Sequence, residues 1–152
     1  MKRIAVIDIG GTTTGIGMYA DRAYRDLGDT PTCDNPEEMV AWMVRALDGN
    51  GCLDDTHAIG VGCPGPLDPA LGVVLTPPNL PAWHHFPLKE RLQALTGVPV
   101  YIENDANLGA LGEARDGVGK GADPLFYMTI STGIGTGIVV GGNILAGAHG
   151  QA

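Results

Sequence analysis

The chain has 152 residues, 44% of them hydrophobic, which is enough for a packed core; its 24 glycines follow no Gly-X-Y period, so collagen and wholesale disorder are excluded. The 9 basic against 17 acidic side chains leave a net charge of −8, a balance that repels nucleic-acid phosphates and anionic lipid. Cys33, Cys52 and Cys63 are odd in number and form no Cys-x-x-Cys pair, which predicts free thiols rather than a disulfide framework or a zinc knuckle. No apolar run approaches the roughly 20 residues of a membrane span. The run after Met1-Lys2-Arg3 meets Asp8 too soon for the apolar core of a signal peptide. The expectation is a soluble, cytoplasmic, single-unit chain.

Residues 4–9 are a short apolar run that enters Gly10-Gly11, predicting a strand buried on both faces and then a turn. Residues 12–19, rich in β-branched residues and glycine, predict a second strand, and 22–27 a third that completes a meander. Asn35 can cap a helix, with Pro36 at its first position and Glu38 placed as in a capping box. Met39, Val40, Met43, Val44 and Leu47 then recur at helical spacing. Residues 58–61 predict a buried strand that empties into Gly62-Cys63-Pro64-Gly65-Pro66, a shaped loop. A short strand at 73–75 and a proline-punctuated loop at 76–81 precede a second helix, with Pro87 near its first turn, Leu88, Leu92 and Leu95 on one face, and Gly97 as its stop. Residues 98–103 predict a strand that hands over at Asn104-Asp105 to a third helix carrying Ala106, Ala110, Leu111 and Ala114. Strands at 125–130 and 138–140 close the chain, giving an α/β order β-β-β-α-β-α-β-α-β-β with no internal boundary over 1–152.

Asp8-Ile9-Gly10-Gly11-Thr12 joins two strands and combines glycines, hydroxyls and a strand-end acid. Such a loop suits phosphate oxygens and their magnesium, or is simply a glycine-rich hairpin. A second stretch, residues 129–137, again sets Thr129, Ser131, Thr132 and Thr136 beside Gly133, Gly135 and Gly137, and two such hairpins at opposite ends of one sheet can grip a phosphate chain. Neither matches a P-loop, and the strand after Gly10 excludes the dinucleotide fingerprint. Glu103-Asn104-Asp105-Ala106-Asn107 lies at the carboxyl end of a strand, where open α/β sheets place ligands. Asn104 caps the helix or binds, and Asp105 is a candidate proton acceptor whose ionised form the helix N-terminus favours.

Asp8-x-Gly10-Gly11-Thr12, Gly62-x-Pro64-Gly65-Pro66, Pro78-Asn79-Leu80-x-x-Trp83, Glu103-Asn104-Asp105-Ala106-Asn107 and Ser131-Thr132-Gly133-Ile134-Gly135-x-Gly137 together resemble, in order, the motifs of the ROK family of bacterial sugar kinases and repressors. The resemblance covers nearly the whole chain. It implies a ribonuclease H-like lobe of the actin-like ATPase superfamily, a mixed sheet with an antiparallel meander and flanking helices. It further implies a first phosphate loop of Asp8, Gly10, Gly11 and Thr12, with Asp8 near magnesium, and a second of Thr132, Gly133 and Gly135, with ATP as donor. Asp105 is implied as the base that takes the proton of a sugar 6-hydroxyl. Gly65, Asn79, Asn104 and Asp105 are implied as contacts to a hexose or N-acetylhexosamine.

Members of that family run to roughly twice this length, as two-domain chains do. The resemblance therefore implies an N-terminal lobe, inactive alone, with any structural zinc in the part beyond residue 152. His149 reads as an ordinary loop histidine, and Trp83 as a core or loop anchor before a sugar-stacking ring. The alternatives are a sugar-sensing repressor and a catalytically silent sugar-binding or dimerisation lobe. The absence of a helix-turn-helix before residue 4, the retention of Asp8, Gly10, Gly11 and Asp105, and the acidic charge favour the kinase. An exposed cleft face would also invite a second copy of the chain as a partner.

Overall fold

The computed structural model of the chain describes residues 2–131 and 133–147. Strands β1 (Arg3–Ile9), β2 (Thr13–Ala20) and β3 (Ala23–Pro31) form the expected meander. β3 runs on past Leu27 because the register shift between Ile16 and Gly17 of β2 leaves Leu27 as the extra residue of a bulge, so pairing resumes at Ile16↔Gly28 and reaches Thr13↔Pro31. Helix α1 (Pro36–Gly49) starts where the capping box predicts. Asn35 Oδ1 accepts from the Glu37 and Glu38 amides at 3.0 and 3.4 Å, and Asn35 Nδ2 donates to Glu38 Oε1 at 3.0 Å.

Strand β4 (Thr56–Cys63) returns parallel to β1. A small hairpin of β5 (Leu67–Asp68) and β6 (Val73–Val74) then leads to α2 (Leu88–Thr96), which Gly97 ends in the left-handed conformation, φ 68°. Strand β7 (Val100–Asn104) lies parallel to β4 and completes a five-stranded sheet in the order β3-β2-β1-β4-β7. After α3 (Asp105–Arg115), strands β8 (Leu125–Ile130), β9 (Ile134–Val140) and β10 (Asn143–Ile144) form a separate antiparallel sheet in the order β10-β9-β8. The two glycine-hydroxyl hairpins therefore belong to two sheets, not to opposite ends of one.

The main core fills one face of the larger sheet. Ala5, Ile7 and Ile9 of β1, Ile59 and Val61 of β4, and Val100 and Ile102 of β7 alternate into it, against Met39, Val40, Met43 and Leu47 of α1 and Leu88 and Leu92 of α2. β1 is not buried on both faces: Val6 is half-buried and Asp8 exposed on the side away from α1 and α2. Leu95, expected on the buried stripe of α2, is 53% exposed. A second, smaller cluster joins Ala110 of α3 to Leu125 and Val139, so α3 covers one face of the smaller sheet. Among the described residues no helix is long and apolar enough to cross a membrane. The three cysteines carry free thiols, with Cys52 and Cys63 buried.

Candidate functional site

Three parallel strand ends converge where β1, β4 and β7 finish. Their register sets Asp8 beside Gly62 and Gly62 beside Glu103, with Cys63 beside Asn104 one step further along. Residues paired in register share a face, so Asp8 and Glu103 point to the side opposite the main core. Gly62 leaves that row open in its centre: a Cβ there would lie 3.5 Å from Asp8 Oδ1 and 3.9 Å from the Asp105 Cα. The Leu108 Cδ1 is nearer still, at 3.4 Å, so Gly62 leaves just enough room for Leu108, Asp8 and the start of α3 to meet.

The electrostatics follow from this proximity. Partial burial, and secondly the negative charge of Asp105, hold the Asp8 carboxyl above its ordinary pKa. Burial, then Asp105 and Asp8, push the Cys63 thiol up to about 12, so it is a neutral packing group and no nucleophile at neutral pH. Carboxylate oxygens such as that of Asp8 could hold a hard cation, and among the described residues no group of three or more His, Cys, Asp or Glu side chains gathers to do so.

The first loop is shaped by residues on both its sides. The Gly10 amide donates to the Thr13 carbonyl at 2.9 Å, and a Cβ on Gly10 would sit 2.8 Å from that same oxygen, so the turn needs glycine. Thr32, just past β3, clamps the loop: its amide donates to the Thr12 carbonyl at 2.9 Å and its hydroxyl to the Gly10 carbonyl at 2.8 Å. The fully buried Thr14 hydroxyl lies 2.8 Å from the Thr32 hydroxyl and completes the clamp. Sequence reasoning missed Thr32, which carries no local motif. Gly11 and Thr12 remain exposed at the tip.

Asn79 stands against this loop, since a Cβ on Gly11 would be 3.0 Å from the Asn79 Cβ. Its segment is anchored by buried Leu80 and Trp83. The Trp83 indole packs edge-on to Phe86 at 5.8 Å and donates to the Cys33 carbonyl at 3.3 Å. Trp83 is fully buried and thus an anchor, while His84 and His85 lie exposed beside it. Gly65 faces Asn104, whose Nδ2 would be 3.3 Å from a Cβ at Gly65.

Asn104 caps α3: its Oδ1 accepts from the Ala106 and Asn107 amides at 3.0 and 3.2 Å, leaving Nδ2 toward Gly65. Asp105 is exposed at the first turn, with Oδ1 2.8 Å from the Ala106 amide. Glu103 Oε1 accepts from the Asn104 amide at 2.8 Å and from Asn107 Nδ2 at 3.1 Å. Asn107 is buried and its Oδ1 has no donor among the described residues, a deficit that costs about 1–3 kcal/mol. Glu103 and Asn107 belong to the strand-end motif but carry no individual role in the sequence reading, although Asn107 stands at the third helical position, where capping boxes place a polar partner.

The second hairpin is tighter than expected. Strand β9 starts at Ile134, so the connection is confined to residues 131–133, and Gly135 and Gly137 lie in the strand. Gly135 packs on Ala106, where a Cβ would approach the Ala106 Cβ to 3.0 Å, while Gly133 is exposed with open space about it. The root of this hairpin therefore adjoins the first turn of α3, next to Asp105. Thr132 and His149 lie outside the described residues.

Comparison with known proteins bears on the family and the fold. The sequence pattern described as "ROK family" matches residues 4–152. A glucokinase of Thermotoga maritima is 34% identical over 147 residues, covering 95% of this chain and 46% of that protein. A xylose repressor of Caldicellulosiruptor bescii is 40% identical over 94 residues, covering 62% of this chain and 23% of the repressor. The crystal structure of a ROK family glucokinase from Streptomyces griseus, in complex with glucose and AMPPNP, superposes with a TM-score of 0.82 at 35% identity, over 97% of this chain and 47% of that one. The chain spans about half the length of the glucokinases it matches. With the meander, the parallel β1-β4-β7 ends and the pattern matched from residue 4 onward, the chain has the actin-like ATPase fold and belongs to the ROK family.

Proposed function

We propose that the chain is the N-terminal lobe of an ATP-dependent sugar kinase that moves the γ-phosphate to the 6-hydroxyl of a hexose or N-acetylhexosamine. The observation that carries this reading is the exposed Asp105 set close enough to Asp8, beside Gly62 at the carboxyl ends of three parallel strands, for its charge to raise the Asp8 pKa. Asp105 accepts the proton of the attacking hydroxyl, whose oxygen bonds to the γ-phosphorus as the bond to ADP breaks. A positioned base of this type contributes about 10²- to 10⁴-fold in rate. Gly11 and Thr12, exposed at the tip of the first loop, would meet the phosphates from one side and Gly133 and Gly135 from the other, with Thr132 given the same role from its place in the sequence. Magnesium, when bound with ATP, spreads the charge of the phosphates, and Asp8 is the residue that would hold it. Asn104 Nδ2, Asn79 and the backbone at Gly65 supply hydrogen-bonding groups for sugar hydroxyls.

The test is Asp105→Ala in the two-lobed kinase that contains this lobe, followed by ATP-dependent phosphorylation of glucose, N-acetylglucosamine and N-acetylmannosamine. Loss of turnover by at least about 10² with unchanged thermal midpoint is expected; near-normal turnover would overturn the assignment. The isolated 152-residue chain is expected to show no turnover in the same coupled assay.

A regulator is the second reading, and the 94 residues shared with the xylose repressor are what favour it. The retained Asp8, Gly10, Gly11 and Asp105 support the kinase instead. Sugar binding measured by calorimetry, with no phosphorylation at any ATP concentration, would point to the regulator. A cytoplasmic setting and a second copy of the chain as partner belong to the same proposal.

A further inference from the structure

The residues around Asp105 close a ring of side-chain and backbone hydrogen bonds that does not include Asp105 itself as a structural member. Glu103 Oε1 holds the Asn104 amide at 2.8 Å, Asn104 Oδ1 holds the Asn107 amide at 3.2 Å, and Asn107 Nδ2 returns to Glu103 Oε1 at 3.1 Å. An ordinary capping box joins the cap and the third helical residue reciprocally. Here the third residue, Asn107, does not reach the cap amide, and Glu103 relays between them.

Two observations argue that this ring does more than start a helix. The cap alone already satisfies the Ala106 and Asn107 amides, so neither Glu103 nor Asn107 is needed for that purpose. Asn107 also keeps a buried carbonyl oxygen without a donor, an arrangement that folding by itself selects against. What the ring does fix is the backbone on both sides of one exposed residue, Asp105, including the Ala106 amide that donates to Asp105 Oδ1 at 2.8 Å, beside Asp8.

We propose that Glu103 and Asn107 are positioning residues that hold the Asp105 side chain in one orientation beside Gly62 and Asp8. The catalytic meaning of that orientation rests on the reading of Asp105 as the base. The orientation itself is measurable in this chain without any turnover.

The experiment is NMR on the isotope-labelled chain. Three-bond couplings from Asp105 Cγ to the backbone nitrogen and carbonyl carbon report its χ1 rotamer, and amide exchange at Asn104 reports the Glu103 bond. The parent should show a single Asp105 rotamer. Asn107→Ala and Glu103→Ala should each average the couplings over more than one rotamer and speed exchange at Asn104 at least tenfold, with the thermal midpoint of Asn107→Ala unchanged or raised. Glu103→Gln keeps an acceptor oxygen and should restore both readouts. Unchanged couplings in both alanine variants, or identical behaviour of Glu103→Ala and Glu103→Gln, would overturn the proposal. Should Asn107→Ala fail to fold, the Glu103 pair decides alone. Asp105→Ala in the kinase assay tests the underlying reading separately, so the brace and the base can fail independently.

Discussion

Asp8 is held in an environment that resists its ionisation. Its carboxyl pKa lies above the ordinary 3.8, first through partial burial and second through the charge of Asp105. An acid that titrates higher in the folded than in the unfolded state binds its proton more tightly when native. Its ionisation therefore opposes folding, with no penalty below the unfolded pKa and the full penalty above the folded one. Asp8→Asn is expected to raise the thermal midpoint over the parent at pH 7, by about 2 °C or less given the exposure of the group. The difference should vanish as pH falls below about 3.8. Midpoints of both proteins followed by circular dichroism from pH 3 to 8 check this, and a pH-independent difference would contradict it. A stability gain at the cost of function is the usual signature of a site residue.

Between elements, the contact of α3 with β9 is made at backbone distance. A Cβ on Gly137 would lie 2.6 Å from the Ala106 carbonyl oxygen and 2.7 Å from the Ala110 Cβ, so the strand rests directly on the helix. Gly137→Ala is expected to destabilise the chain by about 1–3 kcal/mol, because neither neighbour is the free end of a side chain. Gly133→Ala meets open space and should stay within about 0.5 kcal/mol of the parent. Urea denaturation of the two variants separates these outcomes. Equal stabilities would mean that β9 shifts freely on α3.

This contact also shows what the sequence could convey. The meander, the α1 cap at Asn35, the Gly97 stop and the strand-end positions of Asp8 and Asp105 were legible because their signals are local: caps, apolar spacing and glycine punctuation. The separation of β8, β9 and β10 into their own sheet was not, since an alternating strand looks the same whichever sheet receives it. Gly135 and Gly137 read as loop glycines for the same reason; only the approach of α3 shows that packing requires Gly137. At the site, Thr32 reaches Gly10 across 22 positions and Glu103 meets Asn107 through side chains. No spacing rule announces either bond.

For the whole molecule, among the described residues the smaller sheet is covered on one face, by α3. On the other, Phe126, Met128 and Ile130 of β8 and Ile134 and Val140 of β9 stand between 47% and 75% exposed. Contiguous apolar surface of this kind favours association, so concentration-dependent self-association is expected of the chain in spite of its net charge of −8. Replacing Phe126 and Ile130 together by lysine is expected to suppress concentration-dependent self-association while shifting the thermal midpoint by no more than about 2 °C, since both side chains already face solvent. Sedimentation velocity at several concentrations provides the measurement, and unchanged association in the double variant would place the sticky surface elsewhere.

The seating of Trp83 has an optical consequence. The two indoles of the chain occupy different surroundings: Trp42 is half-buried on α1, whereas Trp83 is wholly enclosed and tied through its ring N–H to the Cys33 carbonyl. In a Trp42→Phe background, emission comes from one fluorophore, four positions along the chain from Asn79 and anchored in the same segment. Any ligand that pulls on Asn79, or any loosening of that segment from the strand-to-helix link at Cys33, is then written in the colour and intensity of a single ring.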